Sequence, residues 1–296
     1  MLSISDIKRR VAGIRQTRQI TKAMYLISSV KLRKALNRQE QNATYIQKVR
    51  STIKDILLHM GEADHPFLRK NHMGERTAFI VIAGDKGLAG AYNHNVLNTA
   101  MREIAAVKDR YIFTVGHVAT QFFNRRGYMV DIEFLHTAQD PQLFNAREIC
   151  DALVDLYEQD MIDNVMIVYT HLVSTFHQEP RVLQILPLDL DSFQDVETES
   201  HYTGTIEYEP SVDVVFKSLV SQYVVGLIYA TLVQSFACEQ SARMRAMDSA
   251  TENAEKMIGE LDQEYRRARQ AAITNEIIEI VSGANAVNNT KVVRRG

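Results

Sequence analysis

The sequence has no tryptophan, only two cysteines and only five prolines in 296 residues. Cys150 and Cys238 lie far apart and form no Cys-x-x-Cys, which argues against a disulfide framework or a cysteine-based zinc site and points to a reducing compartment. No His-Glu-x-x-His or Gly-x-Ser-x-Gly signature occurs, and His171 and His177 have no accompanying Cys/His cluster. Neither a metal centre nor a nucleophilic catalyst has a motif. Net charge is scarce too, at −2, which argues against a wholly basic nucleic-acid binder. With 46% hydrophobic and 24% charged residues, the chain reads as soluble and globular, not disordered or collagenous. Its length suggests about two structural units. The longest uncharged run, residues 218–238, could span a bilayer by length. Ser218, Ser221, Gln222, Thr231, Gln234 and Ser235 interrupt it, so a buried soluble helix is expected. The first residues place Asp6 and then basic residues ahead of any apolar block, unlike a secretory signal, and the mature chain is expected to begin near Met1.

What is present is organised by the prolines. Pro66, Pro141, Pro180, Pro187 and Pro210 leave both ends free of helix breakers. Ile4, Ile7, Val11, Ile14, Leu32, Ala35, Ile46, Val49, Ile53, Ile56 and Met60 share one heptad register. In the middle heptads Arg18, Thr21, Tyr25 and Ser28 occupy that seam while Ile20, Met24 and Ile27 form a neighbouring stripe, so the packing is expected to loosen or drift there. A second helix is expected over 211–287, with Met247, Ala250, Ala254, Met257 and Leu261, then Ile273, Ile277, Ile280, Ala284 and Val287, at spacings of mostly three and four. At 1.5 Å per residue, helices over 2–59 and 211–287 would measure roughly 87 and 115 Å, too long for a compact domain unless they pair with each other. Between them, strands are expected over 77–83, 111–115 and 164–170 and helices over 93–107, 117–126 and 145–158, an alternating pattern that implies a parallel sheet. An edge strand over 181–188 and an acidic loop region over 189–213 follow. The expected segments are therefore 1–62, an N-terminal shaft helix; 63–210, a small α/β domain; and 211–296, a C-terminal shaft helix.

The near-zero net charge is a cancellation. Residues 1–50 carry twelve Lys or Arg against Asp6 and Glu40, a net +10, whereas residues 189–213 carry eight acids and no Lys or Arg, a net −8. A basic helix of this kind suits a solvated face, an acidic protein partner, or nucleic acid or membrane, and the lack of interleaved aromatics weighs against the last pair. Gly84-Asp85-Lys86-Gly87-Leu88-Ala89-Gly90-Ala91-Tyr92-Asn93 falls between a strand and a helix, where phosphate loops occur, yet matches neither Gly-x-Gly-x-x-Gly nor Gly-x-x-x-x-Gly-Lys-Ser/Thr. A structural turn is favoured over an anion site. Cys150 on an amphipathic helix reads as a buried small residue. Arg266, Gln270 and Thr274, one helical turn apart, form a polar stripe suited to a carboxylate-bearing partner. Two alternatives stay open on these grounds, an enzyme using the glycine turn for a nucleotide and a coiled-coil nucleic-acid adaptor.

The end segments resemble the gamma subunit of rotary proton-translocating ATP synthases of bacterial type. The resemblance rests on Ile7-Lys8-Arg9-Arg10-Val11, Gln19-Ile20-Thr21-Lys22-Ala23-Met24, Ala242-Arg243-Met244, Ala246-Met247-Asp248-Ser249-Ala250-Thr251-Glu252-Asn253-Ala254 and Ala268-Arg269-Gln270-Ala271-Ala272-Ile273-Thr274. The glycine turn and Glu209-Pro210 fit the same pattern, so coverage is essentially full length. The resemblance implies an α/β fold with a long antiparallel coiled coil, in which the terminal helices pair into a shaft beside a central, small Rossmann-like domain. It implies a non-catalytic central-stalk rotor, without cofactor or metal, that couples proton flow through the membrane ring to catalysis on the beta subunits. Implied partners are the alpha and beta subunits of the catalytic head, the epsilon subunit and the membrane c-ring, with one copy per complex and no nucleic acid. The implied location is peripheral, on the cytoplasmic side of the cell membrane. By the same match Arg9, Arg10, Met24, Arg243, Arg269, Gln270 and Thr274 are coupling contacts to the alpha and beta subunits, and Glu207, Tyr208 and Glu209 form the ring-facing foot. The apolar end around Ile277, Ile280 and Val287 would turn in a sleeve at the top of the head. Departures are the extra charges over 261–266 and the tail 288–296.

Overall fold

The computed structural model describes residues 3–60, 66–68, 76–135, 137–174, 177–188, 193, 209 and 211–293. Most of the acidic region 189–213 lies outside them. Two long helices, both free of internal proline, bracket the chain: α1 (Ile4–Met60) and α5 (Val212–Val293). Each begins on a serine. Ser3 Oγ accepts from the Asp6 backbone N–H at 3.1 Å and Ser211 Oγ accepts from that of Val214 at 3.4 Å, satisfying donors that a first helical turn leaves unpaired. The chain divides into two compact units, one of Ile27–Ala246 and one of Met1–Leu26 with Met247–Gly296, and both long helices contribute to each.

The unit Ile27–Ala246 contains a five-stranded sheet of β1 (Thr77–Ile82), β2 (Arg110–Val115), β3 (Ile132–Phe134), β4 (Asn164–Leu172) and β5 (Gln178–Leu186), in the order β3-β2-β1-β4-β5. Every residue of β1 is buried, as expected of a central strand covered on both faces. Phe79, Val81 and Ile112 pack beneath α2 (Tyr92–Ala106) and α3 (His117–Asn124), chiefly on Val96, Ala100 and Phe123. Ala78, Ile80 and Phe113 face the opposite way. They meet Ile149 and Leu153 of α4 (Leu143–Glu158), Ile53 and Ile56 of α1, and Val220, Val224 and Ile228 of α5.

The sheet is not wholly parallel, as the alternating pattern had implied. β1 to β4 pair in parallel, but β5 runs antiparallel to β4. Only residues 173–177 separate these two strands, too few for a parallel crossover, and Val173 and Ser174 donate to the His177 carbonyl at 3.1 and 3.0 Å to close a hairpin. Pro180 is tolerated because β5 is an edge strand. β3, with three residues, and a single 3-10 turn at Pro66–Leu68 are too short to leave a periodic signal.

The uncharged run 218–238 lies in the first third of α5. A stretch of that helix is long and apolar enough to cross a membrane by length and composition. Within the run, however, Val220, Tyr223, Val224, Ile228 and Leu232 belong to the main core. Burial against the sheet and α1 accounts for their apolarity. In this unit α1 and α5 lie antiparallel: Asn42 Nδ2 donates to the Gly226 carbonyl at 3.1 Å and the Tyr45 hydroxyl to Gln222 Oε1 at 3.0 Å. Farther along the pair, Leu32 and Ala35 pack with Val233 and Ala237. Arg38 fixes α1 to the turn before α4, with Nη1 2.7 Å from Asp140 Oδ1 and 3.0 Å from the Pro141 carbonyl.

The expected drift of the α1 seam does not occur. Thr21 and Ser28 are 7% and 2% exposed, while Ile20 and Ile27 are 53% and 57% exposed. Small hydroxyl side chains permit close helix approach and satisfy one another, which holds the heptad register through the polar stretch. In the unit formed by the chain ends, Thr21 Oγ1 lies 2.7 Å from Thr251 Oγ1. Arg18 pairs with Glu255 at 3.5 Å, Arg15 with Asp262 at 3.9 Å, and the Lys8 ammonium sits 5.5 Å from the Tyr265 ring centre. These contacts define an antiparallel pairing. The helical backbone of α5 then continues to Val293, six residues past the expected end at 287.

Candidate functional site

Six of the expected coupling residues lie in the unit formed by the chain ends. Arg9 and Arg10 are exposed on the second helical turn of α1, with Arg9 Nη2 3.4 Å from Asp6 Oδ1, and Met24 is half-buried. On α5, Arg269, Gln270 and Thr274 are all exposed, and the Thr274 hydroxyl donates to the Gln270 carbonyl at 2.9 Å. Ile273, Ile277, Ile278, Ile280 and Val281 follow, each between 46% and 71% exposed. Five large apolar side chains within nine residues of one helix make a surface suited to burial against another protein. The polar residues overlap its start, with Ile273 between Gln270 and Thr274.

Arg243 lies in the other unit and faces inward. Its side chain is 12% exposed, and Nη2 reaches Glu239 Oε1 at 2.5 Å and the Gly87 carbonyl at 3.2 Å. Burial pushes the Glu239 carboxyl pKa up, against the attraction of Arg243. The glycine turn is built around this pair. The Gly84 N–H donates to Asn93 Oδ1 at 2.8 Å, Asn93 Nδ2 donates to the Lys86 carbonyl at 3.3 Å, and the His117 N–H donates to Asp85 Oδ1 at 3.0 Å. A Cβ on Gly84 would lie 2.9 Å from Glu239 Oε1, so a side chain there would displace that carboxylate from its place against the loop. Leu88 adopts φ 64° at the loop surface, with 65% of it exposed.

This geometry decides between the two readings of the turn. In a phosphate loop the backbone N–H groups point at an anion. Here the Gly84 N–H is committed to Asn93, and the Glu239 and Asp85 carboxylates stand beside the loop and would repel an anion. It is a structural turn. Cys150 and Cys238 are buried and free, and burial pushes both thiols up to about 12, so neither is a nucleophile near neutral pH. Among the described residues there is no group of three or more His, Cys, Asp or Glu able to hold a metal. Glu207 and Tyr208 lie outside the described residues; Glu209 is exposed.

Glu239 escaped the sequence reading. Its signal was an acid one helical turn before Arg243, at the boundary of the longest uncharged run. The basic character of α1 was legible, but not that Lys8, Arg9, Arg15, Arg18, Lys31 and Arg38 each meet an acid or an aromatic ring within the chain.

A family model described as ATP synthase matches residues 3–287. Over 294 residues the chain is 42% identical to the ATP synthase gamma chain of Acetivibrio thermocellus, covering 97% of this chain and 100% of that one. The chain belongs to the ATP synthase gamma-chain family. The gamma chain of Acetobacterium woodii, named as sodium ion specific, is 36% identical over 300 residues, covering 97% of this chain and 99% of that one. The fold is likewise similar to a chain in the cryo-EM structure of the Euglena gracilis mitochondrial ATP synthase, OSCP/F1/c-ring, rotational state 3. That superposition has a TM-score of 0.64 at 17% identity and covers 97% of this chain and 95% of that chain. A gamma chain is a coupling subunit of the membrane-associated ATP synthase and not its catalytic one.

Proposed function

We propose that the chain is the rotor of its ATP synthase, turning inside a head of alternating alpha and beta subunits and standing on the membrane c-ring with the epsilon subunit. The observation that carries this reading is the end of α5, where the exposed stripe Arg269, Gln270 and Thr274 leads into the exposed isoleucines 273, 277, 278 and 280. An antiparallel helix pair with unlike faces touches three surrounding catalytic subunits differently at each angle. It therefore favours a different conformation in each, and its orientation sets their nucleotide affinities. Arg269, Gln270 and Thr274 meet a beta-subunit loop by hydrogen bonds to carboxylate or carbonyl groups. Arg9, Arg10, Met24 and Arg243 serve in the same coupling region, and Glu207, Tyr208 and Glu209 face the ring.

The complex sits on the cytoplasmic side of the cell membrane, with one copy of this chain, and couples to protons. The sodium-specific name of one relative makes the ion a separate question, answered by comparing sodium and proton dependence of ATP-driven transport in reconstituted vesicles. The coupling contacts are tested by assembling the chain with alpha and beta subunits. Arg269→Ala and Gln270→Ala are expected to lower ATPase turnover several-fold while leaving the chain's circular dichroism and melting unchanged, because both side chains are exposed. Unchanged turnover in both variants would remove the contact from this reading.

A further inference from the structure

We infer that Glu239 is a positioning residue, which clamps the Arg243 guanidinium on the Gly87 carbonyl and thereby fixes the loop 84–90 in the geometry it presents outward. The inference rests on the reading of Arg243 as a coupling residue and changes how that residue acts. Arg243 has little surface to offer: its side chain is 12% exposed and that of its partner Glu239 is 7% exposed. One guanidinium nitrogen bridges the carboxylate and the loop carbonyl, at 2.5 and 3.2 Å.

The same carboxylate lies against Gly84 so closely that a methyl group there would stand 2.9 Å away. From the other side, Asn93 of α2 holds Gly84 at 2.8 Å and Lys86 at 3.3 Å. Two helices therefore grip three of the loop's backbone positions. The tip Lys86, Gly87 and Leu88 is exposed, with Leu88 in the left-handed region, a conformation that persists only when its surroundings impose it. A charge-assisted bond in a site closed to water suits that task, since neither partner has solvent to turn to. The contribution of Arg243 to coupling is thus delivered through the loop, not by a guanidinium reaching out to a neighbouring subunit.

The test uses the full chain carrying Lys86→Cys with a spin label, in the assembled complex. The two native thiols are buried and do not compete for the label. Glu239→Ala and Arg243→Ala are each expected to raise label mobility to the same degree, with no further rise in the double variant, and to lower ATP-driven ion pumping several-fold. Glu239→Gln, which keeps an oxygen acceptor for Arg243, is expected to restore most of the immobilisation and most of the pumping. If Glu239→Ala does not assemble, Arg243→Ala and Glu239→Gln read the same clamp. A label equally immobile in all variants overturns the inference. So does an Arg243→Ala variant that loses pumping while Glu239→Gln and Glu239→Ala stay normal, which would make Arg243 a direct contact and leave the coupling reading intact. A loop that loosens without loss of pumping upholds the clamp and removes Arg243 from the coupling residues.

Discussion

Gly116 has φ 95°, and a Cβ built there would lie 2.2 Å from the Ala83 carbonyl oxygen. Neither the turn from β2 into α3 nor its approach to the backbone of the glycine loop leaves room for a side chain. Gly116→Ala is expected to destabilise the protein by more than about 1 kcal/mol, since alanine cannot relax at that φ without moving the loop. An unchanged guanidinium midpoint would contradict this. Thiol reactivity gives a second residue-scale prediction. With both pKa values pushed up to about 12, Cys150 and Cys238 should resist a chromogenic disulfide reagent in the folded chain and react fully in denaturant.

Glu239 supplies the pH dependence. Burial raises its pKa in the folded state; Arg243, Asp85 and Lys31 face it, and its charge in turn raises Tyr92. A raised carboxyl pKa contributes stability that is fully present below the unfolded value, about 4.3, and is lost as pH rises through the folded value. The stability of the native chain relative to Glu239→Gln should therefore fall as pH increases across that interval. Melts of both chains at a series of pH values measure it; a difference that grows in favour of the native chain with rising pH would refute the assignment.

At the scale of elements, the antiparallel helix pair tests the packing argument. Ile53 is fully buried in the core, so Ile53→Ala should cost about 2–5 kcal/mol in chemical denaturation. The Thr21–Thr251 contact behaves differently. Each hydroxyl also reaches a carbonyl of its own helix, Thr21 that of Arg18 at 3.1 Å and Thr251 that of Met247 at 2.8 Å. Replacing either by valine therefore removes the bond between the helices without stranding its partner and should destabilise by about 0.5–1.5 kcal/mol, while replacing both should cost less than the two single changes together. A double-mutant cycle with no coupling would show that the hydroxyl pair does not hold the seam.

These elements also mark how far sequence carries. The α1 seam was legible because its repeat survives fifty residues of varied chemistry. Whether it drifts at Thr21 and Ser28 was not, because that depends on the partner helix more than two hundred positions away. The strands were legible as apolar runs between helices, but the direction of β5 is set by a five-residue connection that periodicity does not weigh. The site follows the same division. The stripe of Arg266, Gln270 and Thr274 could be read from spacing on a single helix, whereas Arg269 came only with the family resemblance. The clamp joins Asn93, Glu239 and Arg243 to a loop reached only after folding, and Arg38 meets Asp140 across 102 positions.

For the whole molecule, the net charge of −2 conceals a division of labour between chain segments. Part of the basic charge of α1 is spent within the chain, on Asp6, Asp140, Glu255 and Asp262. That lowers what is available to a polyanion and weakens the nucleic-acid alternative, which would require retention on DNA that falls steeply with salt. The exposed isoleucines near the end of α5 point instead to a surface built to be surrounded by protein.

Rotation of this chain within the assembled head tests the rotor reading most directly. A probe bead attached through a cysteine introduced at the exposed Lys108, with the head immobilised through its beta subunits, should turn continuously in one direction when ATP is supplied and stop when it is exhausted. A bead that stays still while the same assembly hydrolyses ATP would contradict the rotor function.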